Sequence, residues 1–282
     1  MRRWLAVLTA GIYVASCVSP PPTKTSVRQS PSYDAATSPN VDRLGVFVDG
    51  AINYDGMSGT FIDIADSRAA IADLSEKTNS ALAQKGYVVD FTATPFVGGL
   101  LEKPSFQVAQ DRKGGAKPMA PPFDVVDPGD PAYYAALRNV SHGVIDAFAH
   151  PALLSDTRSW SPAARDGLVQ IAAKKHIRYF LVVQGYGLIE SGWKQASQGV
   201  GTAALTALFT LGTVAVSVHN VSWLDSYVML IDLESSDILW SNSVRLTNFN
   251  PGNREEYDKN DWSRQLLYYL PSRANPEKLS AK

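Results

Sequence analysis

At 282 residues the chain is long enough to bury a large core, and its 45% hydrophobic and 19% charged content is that of an ordinary globular protein. Lys and Arg number 26 against 27 Asp and Glu, so no broad positive excess exists to neutralise phosphates, and nucleic acid is not an expected partner. The single cysteine excludes an internal disulfide framework and any multi-cysteine metal site.

Arg2 and Arg3 precede an uncharged stretch from Trp4 to Ser16, which has the charged and apolar regions of a bacterial secretory signal and is short for a bilayer span. It ends Val14-Ala15-Ser16-Cys17, which resembles the lipobox of bacterial lipoproteins, with Val14 where Leu is commoner. The resemblance implies that residues 1–16 are removed and that Cys17 is acylated. Losing Arg2 and Arg3 takes the net charge from −1 to −3, so acyl chains rather than a basic patch would hold the chain on lipid. Val18 stands where inner-membrane retention signals commonly carry Asp, so by resemblance to enterobacterial sorting the expected location is the outer membrane, facing the periplasm. Residues 17–40 hold Pro20, Pro21, Pro22, Pro31 and Pro39 among Ser and Thr, and read as a disordered tether.

Residues 41–271 read as a single α/β domain, a mixed β-sheet packed with helices, with 272–282 as a tail. Leu44 to Val48 is β-rich, and a turn region spans Gly56 to Gly59. Ile71, Leu74, Thr78, Ala81 and Leu82 then recur at helical spacing, with Asp63 or Asp66 as cap and Gly86 at the C′ position. Tyr87 to Phe91 restarts as a strand, completing a β-α-β unit. Residues 95–130, rich in Pro and Gly, read as an insertion or long loop.

Asp130-Pro131 is a helix start, followed by the stripe Tyr134, Leu137, Val140, Val144 and Phe148. A second helix from about Pro162 carries Leu168, Ile171 and Ala172 and leads into Tyr179 to Gly185, an apolar run suited to a buried central strand. Ser226 to Leu233 and Ile238 to Leu246 flank a polar turn, as an antiparallel hairpin requires. A last helix is expected over Asn260 to Leu270, bringing Trp262, Leu266, Leu267 and Tyr269 to the sheet.

The order β-α-β, α-β, β-β, with Asp232, Asp237, Ile238, Leu239 and Trp240 at the hairpin, resembles the periplasmic domain of a group of envelope lipoproteins. That group includes the curli-secretion lipoprotein CsgG and the penicillin-binding-protein activator LpoB. Their turn usually carries Gly where this chain has Ser236. The resemblance covers roughly residues 41–247 and implies an α/β periplasmic domain of the CsgG/LpoB kind. By general principle, Trp240 is expected to be packed, and Asp232 and Asp237 to form the turn.

Gly199 to Val218 carries no charge. Leu205, Leu208 and Leu211 line one helical face, whereas Val214, Val216 and Val218 alternate as in a strand, so a helix followed by a strand is the plain reading. Two sharper readings remain open. One is a pore hairpin of the curli-secretion kind, although that family uses two such hairpins per subunit and one segment is visible here. The other, favoured, is a partner or oligomer contact through Leu205, Leu208, Phe209, Leu211, Val214, Val216 and Val218.

Catalytic patterns are missing. Gly56-Met57-Ser58-Gly59 lacks the spacing of a nucleophile elbow, and the glycines from Gly199 do not follow a convincing strand. His142, His150, His176 and His219 are scattered without ligand spacing, and Asp124, Asp127 and Asp130 lie in a Pro-Gly loop, where calcium binding is the minor alternative to solvated turn residues. No catalytic residue, metal or cofactor is expected. The expected role is a non-enzymatic outer-membrane lipoprotein acting as periplasmic adaptor, activator or assembly factor for an envelope protein; the alternative is an oligomeric subunit of a CsgG-like secretion channel.

Overall fold

The computed structural model describes residues 28–29, 41, 43–56, 59–93, 96–98, 101, 105–125, 130–149, 161–190, 222–247, 249–259 and 261–272. In chain order these form β1 (Arg28–Gln29), β2 (Arg43–Gly56), β3 (Gly59–Asp63), α1 (Ile64–Gln84) and β4 (Val88–Thr92). Four short strands follow: β5 (Phe96–Val97), β6 (Phe106–Ala109), β7 (Lys117–Met119) and β8 (Asp124–Val125). Then come α2 (Pro131–Ala149), α3 (Pro162–Lys175), β9 (Tyr179–Glu190), β10 (Trp223–Asp232), β11 (Asp237–Thr247), α4 (Arg254–Lys259) and α5 (Trp262–Leu267).

The strands make one mixed sheet in the order β1-β11-β10-β9-β2-β3-β6-β7. β9 lies beside β2 in parallel from Leu44↔Tyr179 to Asp55↔Glu190, and β10 pairs antiparallel with both β9 and β11. The far side of β2 is shared by β4 near Arg43, β5 at Asp49 and Gly50, and β3 from Asn53 onward. The expected mixed sheet packed with helices is therefore the fold, and β2-α1-β4 is its β-α-β unit.

The caps lie where the residue types demanded them. Asp63 Oδ1 accepts the Asp66 N–H at 2.9 Å to start α1, and Gly86 leaves it at φ 85°. Asp130 Oδ1 likewise accepts the Tyr133 N–H at 3.1 Å to start α2. α1 buries Ile71, Leu74, Thr78, Ala81 and Leu82 against one face of the sheet, where α4 and α5 also pack, while α2 and α3 cover the other. Close approach is needed at two places. A Cβ on Gly50 would stand 2.3 Å from the Gly185 carbonyl oxygen, and one on Gly167 would stand 2.6 Å from Ala136 O, where α3 meets α2.

Several expectations are corrected. The strand read as Leu44 to Val48 runs on to Gly56, and that read as Tyr179 to Gly185 runs on to Glu190, because glycine and polar residues inside them serve the sheet rather than end it. Residues 95–130, read as an insertion or long loop, contain β5 to β8, whose backbone groups pair with β2, with β3 and with one another whatever the side chains. The helix expected over Asn260 to Leu270 is shorter, Trp262–Leu267, after α4, which had no expectation; Asp261 at φ 53° separates the two. Within residues 17–40, read as tether throughout, Arg28 and Gln29 pair with β11. At the other end, Tyr87 Oη donates to Pro271 O at 2.7 Å and Ser272 Oγ donates to Lys85 O at 3.2 Å, so the expected tail begins attached.

Candidate functional site

The face of the sheet under α2 and α3 has two halves. Phe47, Phe180, Val182, Met229 and Ile231 are wholly buried there against Leu137, Val140, Val144, Leu168 and Ile171. Because successive residues alternate between faces, the same strands continue that face with Asp49, Gln184, Tyr186, Asp225, Tyr227 and Arg245. An apolar layer thus passes within one sheet into a polar, titratable one. Asn53, Asp55 and Glu190 extend it, all less than a tenth exposed.

Buried polar groups need partners, and the described ones reveal how this half is held. Gln184 Nε2 donates to Ser141 O at 3.0 Å, tying β9 to the middle of α2. The Phe148 ring lies 5.1 Å from that of Tyr227, which brings the end of α2 over β10. Asp225 and Arg245 are direct cross-strand partners and form an ion pair at 2.9 Å, with the guanidinium also 5.2 Å from the Trp223 ring centroid. Burial pushes the Asp225 carboxyl up to about 6 despite the opposing Arg245 charge. Burial likewise raises the Tyr227 and Tyr186 phenols, with Asp225 and Asp49 respectively adding to the shift. Both phenols therefore stay neutral donors, beside carboxylates that favour a donor.

At the margin of this half, Glu190 N–H donates to Ser222 Oγ at 3.2 Å and closes the β9–β10 ladder. Residues 191–221 connect Glu190 to Ser222. Antiparallel neighbours can be joined by two residues, so the ladder itself does not require so long a connection. The uncharged stretch from Gly199 to Val218 lies inside it.

The residues singled out from sequence divide accordingly. Cys17 and the contact set Leu205, Leu208, Phe209, Leu211, Val214, Val216 and Val218 lie outside the described residues, as do Asp127, His150 and His219. Asp124 pairs with Arg68, and Asp130 pairs with Lys174 while capping α2, so each has a structural partner. His176 is the left-handed cap of α3 at φ 52°. Trp240 is wholly buried. Asp232 accepts from Arg178 Nε at 3.2 Å and Nη2 at 3.0 Å and from the Glu234 N–H at 3.0 Å, as a turn-former should. Ser236 occupies φ 62°, a left-handed conformation that glycine adopts without strain.

Among the described residues no three His, Cys, Asp or Glu side chains gather as a metal group, and no helix is long and apolar enough to cross a membrane. The polar half was missed in the sequence because the two central strands were read only as far as Val48 and Gly185. The available signal was period two: Asp49, Asn53 and Asp55 on one strand, Gln184, Tyr186 and Glu190 on the next, Asp225 and Tyr227 on the third.

No family model matches the chain, and no curated protein matches it. Among solved structures it is similar to the PelC dodecamer from Paraburkholderia phytofirmans, at 11% identity and a TM-score of 0.30, over 88% of this chain and 98% of that one. A point variant of the same protein gives 11% identity and a TM-score of 0.31, over 88% and 99%. Lipoprotein GNA1162 from Neisseria meningitidis gives 10% identity and a TM-score of 0.27, over 78% and 96%. Likeness at this level carries no functional inference.

Proposed function

We propose that this chain is a lipid-anchored protein of the outer membrane whose α/β domain faces the periplasm and works by contact, as an adaptor, activator or assembly factor for an envelope protein. One observation carries the reading. β9 and β10 are adjacent antiparallel strands paired from Tyr179↔Asp232 to Leu188↔Trp223, yet residues 191–221 are inserted between them. Two residues suffice to close such a ladder, and the uncharged, small-residue and aliphatic stretch from Gly199 to Val218 within the connection suits a contact with protein. Acylation at Cys17 and the Pro-rich stretch after it would present the domain at a distance from lipid. The role is non-enzymatic in this reading.

Photo-crosslinkers placed at Leu208 and Leu211 in cells test it. A discrete adduct with an envelope protein is the expected result, together with loss of the same association, read by native mass, when residues 199–218 are replaced by a short turn in a chain without crosslinkers. Adducts with lipid alone, or none, would overturn it. The second reading, a channel subunit of the CsgG kind, is favoured by the alternation Val214, Val216 and Val218. It requires ring-shaped particles and conductance in detergent-extracted protein.

A further inference from the structure

The outermost long strand, β11, has one described neighbour on its outer side: β1, the two residues Arg28 and Gln29 from the segment that follows Cys17. They pair antiparallel as Arg28↔Ser241 and Gln29↔Trp240. We infer that the outer side of β11 is a docking edge for the chain's own anchor segment, so that β1 is a clasp that shortens the tether until it is released. The clasp stands on the strand pairing alone. Its effect on reach rests on the proposed anchorage at Cys17.

The pairings allow one chain to close the clasp on itself. Trp240 pairs with Leu230, Leu230 with Leu181, and Leu181 with Val46, so Gln29 lies level with Val46 across four strand spacings, about 20 Å. Val41 precedes Val46 by five residues, which makes the separation from Gln29 to Val41 about 26 Å at ~3.3 Å per residue. Residues 29–41, with Pro31 and Pro39, extend to about 37 Å. The connection is long enough without exchange between copies.

Reach changes with the clasp. Pro-rich chain from Cys17 to Arg28 extends about 34 Å, whereas chain from Cys17 to Val41 extends about 75 Å. Opening β1 therefore lets the domain move about 40 Å further from the anchor. A two-residue ladder at a sheet margin is the kind of pairing that opens before the core does. Backbone pairing reads no side chain, which is why a segment composed like a linker can dock there.

The test is a disulfide in the full mature chain with Cys17→Ser, so that anchorage plays no part. Arg28→Cys with Ser241→Cys should oxidise within one chain, giving a faster-migrating monomer on a non-reducing gel, while each single variant stays reduced and melts like its parent. No crosslink, or a crosslink only between chains, would overturn the intrachain clasp. Should the double variant not fold, Gln29→Pro in the otherwise unaltered chain is read by hydrogen exchange. Proline has no backbone N–H and fixes φ at about −65°, which disfavours a place in the ladder. Exchange across residues 240–242 should then quicken at least tenfold with residues 224–232 unchanged, and an unchanged pattern would overturn the proposal. Loss of membrane association in Cys17→Ser with the disulfide still forming supports both the anchor and the clasp; persistence on the membrane would sink the anchor and leave the clasp standing.

Discussion

Asp225 shows how one side chain reports the character of the polar half. Its carboxyl titrates at about 6 in the folded protein, against 3.8 for the free side chain, chiefly through burial. Between those values the folded state holds a proton that the unfolded state has lost. Its contribution to stability is thus fully present below 3.8 and falls away as the pH rises through 6. Urea midpoints measured from about pH 4.5 to about pH 7.5 should fall along this limb, and Asp225→Asn should flatten it. Ser226, its neighbour on the opposite face, accepts from Trp262 Nε1 at 2.8 Å in a buried site. Ser226→Ala strands that donor and should cost about 1–3 kcal/mol in chemical unfolding. The burial of Trp262 was legible from its helical spacing with Leu266. The Ser226 partner was not, because no local pattern joins two residues so far apart in sequence.

At the scale of elements, the helices were legible because caps and apolar spacing are local. Asp63, Gly86, Asp130 and Pro131 each mark a boundary that a few neighbouring residues determine. Strand ends were less legible. Gly50 and Gly185 look like breaks, yet their missing side chains let β2 and β9 pair beneath Ile71 and Leu74. The same logic governs the two helices on the other face: Gly167 lets α3 rest on the backbone of α2. Gly167→Ala should force them apart and lower stability by about 1–3 kcal/mol, measured by urea unfolding. α2 and α3 bury their own apolar cluster with Phe47, Phe180 and Met229, so near-ultraviolet dichroism should report the change.

For the whole molecule, the connection between β9 and β10 can be separated from the fold. Replacing residues 191–221 by an Asn-Gly turn between Glu190 and Ser222 should leave cooperative unfolding intact while abolishing the proposed protein contact, as read by native mass and crosslinking. Loss of folding would instead make that segment part of the core. From the sequence alone came the helices, the terminal hairpin and the class of fold, since each rests on residues close together in the chain. Only the tertiary structure decided that Asp49, Gln184, Tyr186, Asp225 and Arg245 share one face, that residues 95–130 add strands, and that Arg28 and Gln29 return to β11. The reason is physical: spacing along a chain sets local conformation, whereas strand register and edge pairing are chosen by the backbone of partners that sequence order leaves far away.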